Sequence, residues 1–216
     1  MKLAKITLTT LAAFVWAGTL AASDVFITEI ADPNNSSTTG RFVELYNIGS
    51  SDIDLSAAGY KIQRWTNDNA DPTPSSIKDL TGTIPAGGFY IICNDADKFS
   101  ATYGFDADQD IGTGGAADSN GDDQIAIVVG NNNTIVDMFG VAGEDGTGTA
   151  HEFEDGRAER VSTVTSGNAT WDAAEWDIDN DSGGGDGAQD APDDFDPNVW
   201  FTHTDPATAP TDAPTA

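Results

Sequence analysis

Short apolar or alternating runs recur along the chain: DVFITEI (24–30), RFVELYN (41–47), GYKIQRW (59–65), GFYIICN (88–94), DQIAIVVG (123–130) and TIVDMFG (134–140). Between them lie DPNN, NIGSSD, IPAGG, SNGDD and GNNN, residues that make turns or accept positive φ. Strand-length runs punctuated this way predict an all-β sandwich or barrel. In RFVELYN, Phe42, Glu44 and Tyr46 fall on one face and Val43 and Leu45 on the other. Val25, Ile27 and Ile30 break strict alternation, which predicts a bulge or a strand buried on both faces. YIICN and IAIVV read as central strands, and GNNN as a hairpin turn. Only NDADKFSATYG (94–104) reads as helical, capped by Asn94 or Asp95. No internal repeat at a solenoid period is present.

The two ends differ from this pattern. Lys2 and Lys5 precede an apolar run from Leu11 to Ala22 that ends in small residues, the layout of a secretory signal peptide over residues 1–22. The run is too short and too interrupted, at Gly18 and Thr19, for a membrane span. Residues 23–201 then form the domain, and the Pro/Thr/Ala-rich stretch 202–216 has the composition of a linker or tail. The expectation is an exported protein, secreted or at the cell surface, with no membrane span once the signal is removed.

Charge narrows the partners. Without the two signal lysines, seven basic residues face 36 acidic ones, a formal charge of −29. Such a surface repels phosphate backbones, so no direct nucleic acid binding is expected, and it attracts divalent cations. Acidity for solubility alone gives the same composition. The single cysteine, Cys93, sits in an apolar run and is expected to be a buried, inert thiol, leaving core burial and bound metal to stabilise the fold. Asn34, Asn35, Asn132 and Asn168 head glycosylation sequons.

FVELYN followed by DIDLS and Tyr60, with IPAGGFYI, NGDDQIAIVVGNNNTIVDMFG and DGRAERV after it, resembles the lamin-tail domain of exported microbial and algal proteins, over about residues 24–176. The resemblance implies an immunoglobulin-like β-sandwich, here with long acidic loops. It implies an interaction module without catalysis of its own, of the kind attached to secreted nucleases, phosphoesterases or adhesins. It does not account for the acidic segment after Trp176.

That segment, WDIDNDSGGGDGAQDAPDDFDPNVW (176–200), holds eight aspartates and no basic residue. Asp177, Asp179 and Asp181 alternate ahead of Gly183, a spacing that could turn three carboxylates inward onto calcium, with Asp186 or Asp190 closing the shell. A solvated acidic linker is the other reading. Phe195, Val199, Trp200 and Phe201 favour order, because each costs free energy at about 25 cal/mol per Å² left exposed, and Trp176 and Trp200 would pin the ends of a closed loop. Asp106, Asp108 and Asp110, and separately Asp118, Asn120, Asp122 and Asp123, are weaker cation sets for which turn formation suffices.

Catalytic signatures are absent. His151 and His203 lie far apart and are expected at the surface, HEFE lacks the second histidine of a zinc helix, and no nucleophile elbow or phosphate loop appears. Glu29 and Glu44 can pair across adjacent strands as acid and base or in edge hydrogen bonding. Arg157 and Arg160 should pair with acidic neighbours, and Trp65, Trp171 and Trp176 form either a sugar-stacking face or core packing. The reading is a non-catalytic, calcium-stabilised binding or adhesion module for an extracellular protein or glycan, with the cation as a possible bridge. The alternatives are an accessory domain of a secreted hydrolase whose catalytic part lies outside this chain and, last, a free-standing enzyme.

Overall fold

The computed structural model describes residues 23–204, so the signal peptide expected over 1–22 and most of the Pro/Thr tail lie outside the described residues. The strands are β1 (Val25–Ala31), β2 (Phe42–Asn47), β3 (Ile53–Asp54), β4 (Tyr60–Trp65), β5 (Lys78–Asp79), β6 (Thr83–Ile84), β7 (Phe89–Cys93) and β8 (Gln109–Asp110). After them come β9 (Gln124–Val129), β10 (Thr134–Phe139), β11 (Arg157–Arg160), β12 (Trp176–Asp179), β13 (Val199–Trp200) and β14 (His203–Thr204). Short helices α1 (Ser36–Thr39) and α2 (Leu55–Ala58) and a longer α3 (Ala96–Tyr103) interrupt them. Asp95 caps α3 by accepting from the Lys98 amide, and Gly104 ends it in the left-handed region.

A six-stranded sheet ordered β12-β11-β1-β2-β7-β8 faces a four-stranded sheet ordered β10-β9-β4-β5. Between them Val25, Ile27, Ile30, Val43, Leu45 and Ile92 from the first sheet meet Ile62, Ile125, Ile127 and Phe139 from the second. The alternation predicts a sandwich or barrel, and the sandwich is the architecture present, of the immunoglobulin-like kind that the lamin-tail resemblance implies.

The six-stranded sheet is covered on its other side as well. Phe42, Ile91 and Cys93 pack under Phe99 of α3 and Ala191 and Phe195 of the acidic segment. Phe26, Tyr46 and Phe89 pack under Trp200. The segment 190–200 therefore roofs the sheet, which explains why every residue of β1 and β2 is buried. Trp176 and Trp200 are 6% and 1% exposed and anchor the loop as expected, whereas Phe201 is 45% exposed and stays outside. Structure also continues past 201: β14 pairs with β13, and the His203 ring stacks on Trp200 and meets the Tyr46 hydroxyl at 3.1 Å.

Two bulges tie the sheets together. The β1–β2 register shifts between Ile27 and Glu29, and the β10–β9 register between Ile135 and Asp137. β11 pairs with β1 only over 29–31, leaving Ile27 beyond that ladder. The Ile27 amide donates to Asp137 Oδ2 at 2.8 Å and its carbonyl accepts from Arg160 Nε at 3.1 Å. Arg160 Nη2 reaches both Asp137 oxygens at 2.6 Å, and the guanidinium lies 4.1 Å from the Trp176 ring centroid. An ion pair excluded from water thus supplies the hydrogen bonds that the bulged backbone requires.

Candidate functional site

β11 and β12 run antiparallel with Arg157 opposite Asp179, so the residues just before β11 lie beside those just after β12. The acidic loop is ordered there by specific bonds. Asn180 donates to the Glu152 carbonyl at 2.9 Å and accepts from the Gly184 amide at 2.7 Å, while the Asp181 amide donates to the Glu154 carbonyl at 3.0 Å. Farther on, Asn35 brackets Ala191, donating to its carbonyl at 2.7 Å and accepting from its amide at 3.0 Å. Gly185 has φ +53°, and a Cβ there would collide with Asp179 Oδ1 and the Ile178 carbonyl, so this turn requires glycine.

This folding separates the five aspartates singled out by spacing. Asp177 is exposed on β12. Asp179 pairs with Arg157 Nε at 3.1 Å and accepts from the Asp186 amide at 2.7 Å. Asp186 is exposed, and Asp190 accepts from Asn34 at 3.1 Å. Asp181 instead joins Glu152 and Glu154, with one carboxylate oxygen from each lying within 4.8 Å of the others. Among the described residues this is the only group of three acidic or metal-ligating side chains so close. Because 177 and 179 sit in an extended strand, their carboxylates cannot turn inward with 181 as a tight loop would allow.

The three carboxylates differ in setting. Glu152 is buried, with Oε2 accepting from the Gly148 amide at 2.8 Å and Oε1 from the Ser182 hydroxyl at 3.1 Å. Glu154 is half-buried and Asp181 exposed. Partial burial, then the charges of Asp181, Asp155, Asp122 and Glu152, push the Glu154 carboxyl above its ordinary value. Oxygen-only donors, one fixed by hydrogen bonds and one open to solvent, suit a hard divalent cation better than a soft one. The missing ligands were present in HEFE (151–154), whose glutamates alternate and so share a side of an extended chain. Helical spacing was the wrong test for them.

Most carboxylates of the other acidic runs are taken up by backbone amides or by basic and amide side chains. Asp108 accepts from the Ile91 amide at 2.7 Å, and Asp110 from Gly112 at 2.8 Å and Ala96 at 3.3 Å. Asp118 binds Arg41, Asn94 and the Gly114 amide; Asp123 pairs with Arg64 at 2.9 Å. Cys93 is wholly buried, and burial pushes its thiol up to about 11, which leaves it unreactive. His151 departs from the surface expectation: it is 1% exposed, packed edge-on against Phe139 and Trp171 with Nδ1 meeting the Thr149 hydroxyl. A polar sequence neighbourhood concealed a ring that caps the end of the core. The tryptophans form no common face, since Trp65 packs on the outer side of the four-stranded sheet while Trp171 and Trp176 close the core.

The lamin tail domain profile matches residues 19–143, which span β1 to β10. Hence β11, β12 and the acidic roof lie beyond the matched part. No curated protein sequence matches the chain. A crystal structure of a DUF4876 family protein from Bacteroides thetaiotaomicron is similar at 19% identity with a TM-score of 0.26, over 36% of this chain and 26% of its own. The chain thus spans about a quarter of that protein's length. With the match covering more than half of the residues and the sandwich in place, the chain belongs to the lamin tail domain family.

Proposed function

We propose that this chain is an exported, non-catalytic interaction module in which calcium bound by Glu152, Glu154 and Asp181 locks the acidic loop to the sandwich, with an extracellular protein or glycan as its partner. The lamin tail domain is a non-catalytic immunoglobulin-like family, which supports a binding role. The observation that carries the calcium reading is the convergence of three carboxylates from both sides of the β11–β12 pair. Bringing them together without a counter-ion costs electrostatic free energy, and Asp181 opens to solvent where water or an anionic partner group can complete the shell.

The test is a calcium titration of thermal stability. Saturation at about 100 times Kd stabilises by roughly 2.7 kcal/mol, which raises Tm by several degrees in a domain of this size. The double change Glu154→Gln with Asp181→Asn should remove that rise. An unchanged Tm in millimolar calcium defeats the metal assignment. Export is checked independently by the N-terminal sequence of protein recovered from the medium, which should lack about the first 22 residues.

A further inference from the structure

Near the middle of the roofed face, between its two apolar clusters, Glu29 and Glu44 stand directly opposite one another on β1 and β2. They are 3% and 0% exposed. Glu44 is held: Oε1 accepts from the Thr28 hydroxyl at 2.6 Å, and Oε2 accepts from the Asn198 amide, in the roof, at 2.6 Å. Glu29 is not: its Oε1 is buried without a hydrogen-bond partner among the described residues, as is the Tyr103 hydroxyl of α3. The surrounding charges are Arg157 and Glu159 from β11 and Asp196 from the roof, so four carboxylates face one guanidinium, itself bonded to Asp179.

We propose that Glu29 and Glu44 form a proton-binding site, and that the proton held between the strands keeps the segment 190–200 docked on the sheet. Two ionised carboxylates cannot share so dry a site, so one must be protonated while the roof is closed. Opening exposes Glu29 to water and releases the proton. Burial, with Asp196 and Glu159 acting against Arg157, holds Glu29 at about 8 in the closed state, whereas a solvated glutamate titrates near 4.3. A group raised in the closed state stabilises it most below the open-state value, and that stabilisation is lost as pH rises through the closed-state value. The roof therefore loosens between about pH 5 and pH 8, and this effect levels off above.

Hydrogen exchange of the Asn198 amide and of the Trp200 indole N–H, which donates to the Arg160 carbonyl at 2.6 Å, reports the opening. Measurements in chelator throughout make the result independent of the calcium site. After correction for intrinsic rates, protection in the wild type should fall by up to about tenfold per pH unit across this window. Glu29→Gln should flatten the fall and raise Tm above wild type at pH 8.5, and Glu44→Gln provides a second reading of the same slope. Equal slopes in wild type and both variants, pH-independent protection in the wild type, or a Tm for Glu29→Gln lowered equally at pH 5 and 8.5 overturns the proposal.

Discussion

Asp137 bonds the Ile27 amide, the Asn168 amide and Arg160 at once, and neither partner of the Asp137–Arg160 pair is exposed. Removing Arg160 leaves Asp137 charged and unpaired inside the fold, and removing Asp137 leaves Arg160 with only the partly exposed Glu175, at 2.6 Å, while stripping the Ile27 and Asn168 amides of their acceptor. Asp137→Ala should destabilise the protein by about 3–5 kcal/mol in urea unfolding, far more than loss of the exposed Lys61–Asp79 pair. A loss under 1 kcal/mol would mean that water reaches Arg160. At this scale the sequence was partly legible. Strand alternation placed Glu29 and Glu44 where they could meet across β1 and β2, and Arg160 was expected to find an acid. It could not say which acid, because Asp137 is 23 residues away and enters only through the second bulge. Nor could it place Glu152 and Glu154 beside Asp181, which depends on the β11–β12 pairing.

Elements were read more fully than contacts. The runs at 24–30, 41–47, 59–65, 88–94, 123–130 and 134–140 became, within a residue at each end, β1, β2, β4, β7, β9 and β10. The broken alternation in VFITEI became a bulge, and Asp95 became the α3 cap. These features are set by local periodicity and turn chemistry, which a sequence carries directly. The roof was read only as anchored, not as a third layer. Its chief anchor is Trp200, which contacts Phe26 and Tyr46 at centroid distances of 5.5 Å. Trp200→Ala should cost about 3–5 kcal/mol, and limited proteolysis should then cut near 190–200 before the sandwich. Cleavage first in β9 or β10 would contradict a separately docked roof.

For the whole molecule, two effects depend on net charge and buried acids. Asp32 is held at about 6 by burial, opposed by Arg41, and Glu29 at about 8. Both values are raised in the folded state, so their stabilisation is present in acid and is lost as pH climbs, through about 6 for Asp32 and about 8 for Glu29. Growing self-repulsion at a formal net charge of −27 acts in the same direction. Tm should therefore be higher at pH 5 than at pH 8, with Glu29 alone contributing on the order of 4 kcal/mol across that range. Added monovalent salt should narrow the gap by screening the exposed charges but leave the buried Glu29 contribution in place. A Tm maximum at pH 8 or above would rule this out.

The sequence by itself determined the all-β class, most of the strands, the helix and the acidic character, since each follows from periodicity, turn residues or composition along neighbouring positions, while the family was legible as a resemblance carried by FVELYN and IPAGGFYI. Only the tertiary structure decided which carboxylates converge. Ligand spacing along a chain predicts a site when the segment stays a loop. Here Asp177 and Asp179 are drawn into β12, and the strand pairing hands Asp181 to two glutamates from the other side of the hairpin. The same pairing and the two bulges bury Glu29, Glu44, Asp137 and Arg160, and their chemistry comes from the water that the fold excludes.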